Sequence, residues 1–301
     1  MIGDNDADAA ERRQLASLAY RMLGTVADAE DAVQETYLRW YRLPASERDA
    51  VANRAAWLTR AAGRVCLDAL GTARARRERY VGEWLPEPLP AFAGGGASGA
   101  VRAANGSGDP LEEAALDESV STALLVVLEM MTPAERVVFV LHDVFAVPFA
   151  DIAEVVGRSA AAVRQLAVSA RRRVSEDRRG EVSPRQHAEV ARAFGAAARG
   201  GDIATLMTLL DPDVVVRSDS GGFVSAARHP VRGASNVARF LLGVLRKNPG
   251  AVVEERLTAD GLGYVTVVSG RVTGVATLAV RAGRIVDVWM VLNPEKLTSW
   301  N

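Results

Sequence analysis

The amino-acid sequence predicts a multidomain chain in which two all-α domains precede an α+β domain. Apolar residues recur at helical spacing through residues 11–80 and again from Pro110 to about Arg179, whereas the last third turns to Val- and Thr-rich runs. Between the helical stretches, AFAGGGASGAVRAANGSGD at 91–109 has almost no large apolar residue, so it cannot repay the entropy of ordering and is expected to be a flexible tether.

In the first domain the helical stripe runs through Leu15, Leu18, Ala19, Met22 and Leu23, then Ala32, Val33, Thr36, Tyr37 and Trp40, then Val51, Ala55, Leu58, Ala62, Val65 and Ala69. GEWLPEPLP, from Gly82 to Pro90, cannot be helical. Its three prolines fix their own backbone angles and push the residues before them toward extended conformations. The segment therefore reads as a stiff strap that needs a holder. A second, shorter linker, GEVSPRQ, follows the second helical domain. Helices are then expected near 184–199, 202–210 and 234–246, with strands at 214–217 and in AVVEERLTA, GYVTVVSG, RVTGVATLAVR and GRIVDVWMVL. Gly261, Gly270 and Gly283 punctuate these runs as turns of a meandering antiparallel sheet.

Composition bounds the function. The 301 residues are 49% apolar and 24% charged with a formal net charge of −1, so attraction to nucleic acid must come from local patches. One cysteine, Cys66, excludes an internal disulfide framework and a thiolate zinc cluster, and is expected to be a buried small hydrophobe. The acidic N-terminus is unlike a signal peptide, and the most apolar run, ALLVVLEMM, is too short to span a bilayer; a cytoplasmic location without membrane association is expected. Lysine occurs only at 247 and 296, and the abundance of Arg, Ala, Gly and Val suggests a high-GC genome, which discounts Arg richness as a functional signal.

PFADIAEVVGRSAAAVRQLAVSARRRV, residues 148–174, has the spacing of a helix-turn-helix. Ile152, Ala153 and Val156 form the inner face of a first helix, Gly157 the turn and Ser159 the cap of a second helix, whose Val163, Leu166, Ala167 and Ala170 face inward. Outside stand Arg164, Gln165, Val168, Arg171 and Arg172, with Arg158 at the helix entrance, a mixture of base-edge readers and phosphate clamps. In DAEDAVQETYLRWYR, residues 28–42, the buried stripe leaves Asp31, Gln34, Glu35 and Leu38 as an acidic surface around one exposed leucine, suited to a basic protein partner. Trp40, Tyr41, Arg42, Arg54, Trp57 and Arg60 place aromatics and cations where unpaired bases stack and phosphates are held, although core packing accounts equally well for the two tryptophans.

D-A-E-D-x-V-Q-E-T, the aromatic-basic segment, a linker and a C-terminal helix-turn-helix together resemble the extracytoplasmic-function (ECF) sigma factors. The resemblance implies a region 2 domain at 8–80, a linker at 81–112 and a region 4 domain at 113–178. It implies core RNA polymerase and promoter DNA as partners: Asp31, Gln34, Glu35 and Leu38 on the β′ clamp helices, the segment from Trp40 to Trp57 on a melted −10 element, and region 4 on the β flap and the −35 element. Ser169 departs from the pattern, standing where such factors often carry an Arg, so one phosphate contact is expected to be missing.

The remaining residues, 182–301, resemble a SnoaL-like, NTF2-like cone. WLPEPL in the linker, DSGGFVSAARHPVRG at 219–233 and NPEKL at 293–297 resemble the subgroup of these factors with such a fused domain, in which it contacts the linker and regulates in cis. The contact is expected to use Trp84, Leu85, Pro86, Glu87, Pro88, Asp219, Gly221, Gly222, Asn293, Pro294 and Lys296, with Lys296 pairing to Glu87 or Asp219. No metal or cofactor is expected. The alternative is a DNA-binding regulator whose cone binds a small molecule or performs acid-base chemistry, with Asp219 and His229 the nominated pair. His142 and His187 read as helix residues.

Overall fold

A computed structural model describes residues 2–77, 80–91, 121–177 and 179–301, and all of the predicted tether except Ala91 lies outside them. The described residues fall into two compact units, one of helices up to residue 77 and from 124 to 177, the other holding 80–91, 121–123 and 179–301.

The helical unit opens with α1 (Ile2–Leu23), α2 (Val26–Arg42), the short α3 (Ala45–Asp49) and α4 (Arg54–Arg77). Gly24, at φ +80°, ends α1, and Thr25 caps α2 by accepting the Asp28 amide at 3.2 Å. Most of the predicted stripe is the core, with Leu18, Met22, Val33, Leu58 and Ala62 essentially inaccessible, but Tyr37, Val51 and Ala69 are only half-buried and Ala55, in the first turn of α4, is exposed. Cys66 is fully buried, and burial pushes its thiol up to about 12, which makes it chemically inert.

Then come α5 (Thr122–Glu129), α6 (Pro133–Phe139), a π turn at Val140–Val144, α7 (Phe149–Val156) and α8 (Ala160–Asp177). Thr132 and Glu135 form a reciprocal capping box at the start of α6, with Pro133 in the first turn. The Glu135 carboxylate also accepts the Ser169 hydroxyl at 2.7 Å, so Ser169, where the resemblance expects an Arg, ties α8 to α6 instead. Burial opposes ionisation of Glu135, but its hydrogen bonds from Ser169 and Thr132 outweigh that and hold the carboxyl below its ordinary range.

The two helical regions pack directly on each other. A Cβ at Gly63 of α4 would stand 2.9 Å from the Leu141 side chain and 3.5 Å from Val155, so glycine is what lets α4 approach the second region. The buried Arg136 donates to the Met22 carbonyl at 2.8 Å, capping the end of α1, and to Glu129 at 2.6 Å.

The second unit carries α9 (Pro184–Gly200), α10 (Ile203–Leu209), β1 (Leu210–Asp219), β2 (Val231–Arg232), α11 (Ala234–Lys247), β3 (Val252–Thr258), β4 (Gly261–Val268), β5 (Arg271–Arg281) and β6 (Arg284–Val291), closed by 3₁₀ turns at Pro294–Lys296 and Thr298–Trp300. The sheet order is β2-β1-β6-β5-β4-β3. The expected antiparallel meander holds for β3 to β6, but β1 pairs with β6 in parallel. The parallel pairing has a topological cause: α11 lies between β1 and the meander, and a crossover lets the last strand return beside the first in the same direction.

One face of the sheet packs Val214, Val216, Leu278 and Val288 against Phe194, Leu206 and Val237 of the helices. Tyr264 donates to the Ala191 carbonyl, and Gly195 leaves room for its ring. Asp260, in the β3–β4 turn, accepts the Ala123 amide at 3.3 Å, and burial pushes its carboxyl up to about 6. A raised acid binds its proton more tightly in the folded state, so its charge is destabilising above pH 6 and stability rises as pH falls from 6 toward 4. Asp260→Asn is expected to flatten that dependence and to stabilise the unit at pH 7 by on the order of 1 kcal/mol, as read by urea unfolding at pH 5 and pH 7.

Candidate functional site

Three surfaces carry the predicted site residues. On α2, Asp31 and Gln34 are exposed, Leu38 is 49% exposed, and Glu35 pairs with Arg39 at 2.9 Å. The helix thus presents an apolar tip within an acidic rim, because Ala29, Ala32, Val33, Thr36 and Trp40 turn its other face into the core.

The aromatic-basic segment is only partly available. Trp40 is 8% exposed and meets Trp57 edge-on at 5.1 Å between ring centroids, so it is a core residue and not a free stacking face. Tyr41, 61% exposed, is the open aromatic at this end of α2, and Arg42 is exposed beside it. Arg54 is held at 3.1 Å by both Asp8 and Glu11. Arg60 pairs at 2.9 Å with Asp151 of α7, a contact that sequence pattern did not reveal, since the partners are 91 residues apart.

In the helix-turn-helix, Gly157 takes the left-handed conformation at φ 66°, and Ser159 accepts the Ala162 amide at 3.3 Å. Val163, Ala167 and Ala170 are buried as predicted; in α7 it is Val155 and not Val156 that joins Ile152 in the core, because Val155 is the residue facing α4. Arg158, Arg164, Gln165, Arg171 and Arg172 are all exposed. Two are braced from behind: the Arg164 guanidinium lies 5.7 Å over the Phe149 ring, itself stacked on His142, and Arg171 pairs with Asp143 at 2.6 Å.

The strap belongs to the second unit. By alternation from the buried Val216, Asp219 lies on the sheet face opposite the helices. Its carboxylate, fully buried, accepts four donors: the Tyr80 hydroxyl at 2.6 Å and the Gly221 amide at 3.1 Å on one oxygen, the Leu85 amide at 2.9 Å and the Lys296 ammonium at 2.7 Å on the other. Lys296 also donates to the Leu85 carbonyl at 2.5 Å and lies 4.0 Å from the Trp84 ring centroid. In a chain with lysine only here and at 247, a compact ammonium with three donors fits this socket where a planar guanidinium does not.

Leu85, Pro86, Glu87 and Pro88 are buried, Trp300 donates to the Pro88 carbonyl at 2.7 Å, and Ala91 donates to Leu257 at 3.1 Å beside a Pro90–Thr258 bridge at the β3 edge. Gly221, at φ +59°, is required by close approach: a Cβ there would stand 2.7 Å from the Asn293 side chain, which donates to Tyr80. Burial, reinforced by the Asp219 hydrogen bond, raises the Tyr80 phenol above its ordinary range and keeps it a donor. Pro294 is exposed. Tyr80 and Trp300 were not legible as strap ligands, since neither stands in a motif. The acid-base alternative loses its nominated pair: Asp219 is saturated by donors and His229 is exposed on a loop. His187 is buried with Nε2 at 3.0 Å from the Leu278 carbonyl.

A helical bundle with an acidic, leucine-tipped helix and a helix-turn-helix is the architecture that the resemblance to transcription initiation factors implies, and comparison with known proteins shows that class. The family Sigma-70 region 2 matches residues 9–76, and Sigma-70, region 4 matches residues 121–174. The chain belongs to the ECF RNA polymerase sigma factors. It is 41% identical over 300 residues to the ECF RNA polymerase sigma factor SigJ of Mycobacterium tuberculosis, covering 95% of this chain and 91% of that one. It is 36% identical to the probable ECF RNA polymerase sigma factor SigI of the same species, covering 96% and 92%. The crystal structure of the SigJ protein superposes with a TM-score of 0.75 at 38% identity over 98% of each chain. The sheet-and-helix C-terminal unit has the NTF2-like architecture expected of a SnoaL-like domain. No helix among the described residues is long and apolar enough to cross a membrane.

Proposed function

We propose that this sigma factor is regulated in cis by its C-terminal domain, which holds the strap between regions 2 and 4 and favours a form unable to engage core polymerase. The observation that carries the reading is the buried Asp219–Lys296 socket, which takes the Tyr80 hydroxyl and both the amide and the carbonyl of Leu85. Docking ties residues 80–91 of the linker to the C-terminal domain, so that the linker is withheld from the arrangement that regions 2 and 4 take on polymerase.

In the released form, Asp31, Gln34, Glu35 and Leu38 engage the β′ clamp helices and region 4 the β flap. Tyr41, Arg42, Arg54, Trp57 and Arg60 face the melted −10 element, and Arg158, Arg164, Gln165, Arg171 and Arg172 the −35 element. The Arg60–Asp151 pair then breaks, a small cost for an ion pair about one third exposed on each side. The test is transcription by core polymerase reconstituted with the full chain or with a truncation near Arg179 on a promoter library. The reading expects discrete starts dependent on both elements and higher activity of the truncation at limiting protein; equal activity of the two forms refutes regulation, and absence of core binding refutes the sigma assignment.

A further inference from the structure

The recognition helix α8 carries one feature that phosphate clamps and polar base readers leave unexplained. Val168 is 65% exposed, the one large apolar side chain exposed on that helix. Elsewhere α8 fills its positions with alanine, at 160, 161, 162, 167 and 170, and an exposed mid-helix valine is intrinsically less favourable than alanine by a few tenths of a kcal/mol.

Its neighbours define what it can meet. Arg164 is one turn N-terminal, at i−4, and Gln165 is at i−3, so the three share one face, with Arg164 braced by Phe149. A protein partner needs a contiguous apolar patch, which a lone valine beside an arginine and a glutamine does not offer. The major-groove edge of DNA has a single apolar feature, the 5-methyl of thymine, set among hydrogen-bonding groups that arginine and glutamine read.

We propose that Val168 reads a thymine methyl in the −35 element. Four residues rise about 6 Å along the helix against about 3.4 Å per base step, which places this thymine one to two base pairs from the base read by Arg164. The inference rests on the assignment of α8 as the −35 helix and deepens it. It makes Val168 a specificity determinant and requires a thymine, on one strand or the other, within the selected −35 sequence.

The experiment uses holoenzyme made from the full chain and a promoter selected from a randomised −35 library, with each −35 thymine replaced in turn by uracil, which removes the methyl and keeps the pairing. One position is expected to weaken binding about fourfold, the value of one buried methyl-sized group. Val168→Ala, a good helix former at an exposed site, is expected to weaken binding to the thymine promoter by about the same factor and to be indifferent to uracil there. Uracil without effect at every thymine, a selected element lacking thymine, or the same uracil loss in Val168→Ala holoenzyme overturns the proposal while promoter-specific binding persists. Holoenzyme that selects no −35 element overturns the α8 assignment itself, and the proposal with it.

Discussion

Asp219→Ala is expected to unseat the strap and to raise the affinity of the free chain for core polymerase by tenfold or more. The substitution removes all four acceptor interactions at once and leaves the Lys296 ammonium, 5% exposed, without its carboxylate. Breaking one side of a buried ion pair costs about 3–5 kcal/mol, which is comparable to all that a short strap gains by docking. The released segment should show solvent-exposed Trp84 fluorescence and early proteolysis within 80–91. Because Asp219 also accepts the Gly221 amide and so supports its own turn, Leu85→Ala provides the control from the strap side. It deletes a fully buried anchor, a loss of about 2–5 kcal/mol, without touching the sheet. Both variants should increase core binding, and an unchanged affinity in both argues that strap docking and polymerase binding are independent.

Gly63→Val is expected to prise regions 2 and 4 apart while leaving each folded. The added Cβ alone would come within 2.9 Å of Leu141, which is fully buried, and its methyls would meet Val155. Overpacking of this kind costs about 1–3 kcal/mol, and only in the closed arrangement. Within α4 the change is mildly favourable, since valine is a better helix residue than glycine. The closed-to-open ratio should therefore fall about 5- to 150-fold, seen as a longer mean distance between fluorophores placed on regions 2 and 4. Unchanged distance, with both regions still folded by circular dichroism, would mean that the Gly63–Leu141 contact does not hold the closed form.

Legibility followed the range of the interactions. The helix-turn-helix could be read because its turn glycine, cap serine and inward alanines lie within about twenty residues of one another. The strap could be read as stiff from Pro86, Pro88 and Pro90, and Lys296–Asp219 was one of two pairings expected for it. What pattern did not disclose is long-range. Tyr80 reaches Asp219 across 139 positions and Arg60 reaches Asp151 across 91, and a single tyrosine or arginine carries no local mark of a distant partner. Trp40 shows the opposite limit: an aromatic next to cations fits a base-stacking site and a core equally, and burial decided for the core. The parallel β1–β6 pairing was hidden because alternation within a strand does not say which neighbour it will have.

The most direct measurement of the central claim is amide hydrogen exchange across 83–91 in the free chain and in the assembled holoenzyme. The Leu85 and Ala91 amides are hydrogen-bonded to Asp219 and Leu257 in the docked strap, at 2.9 Å and 3.1 Å. Regulation by docking predicts slow exchange at both positions in the free chain and fast exchange once core polymerase is bound. Equal protection in the two states would contradict it, leaving the socket as a fixed joint of the fold with no part in choosing between them.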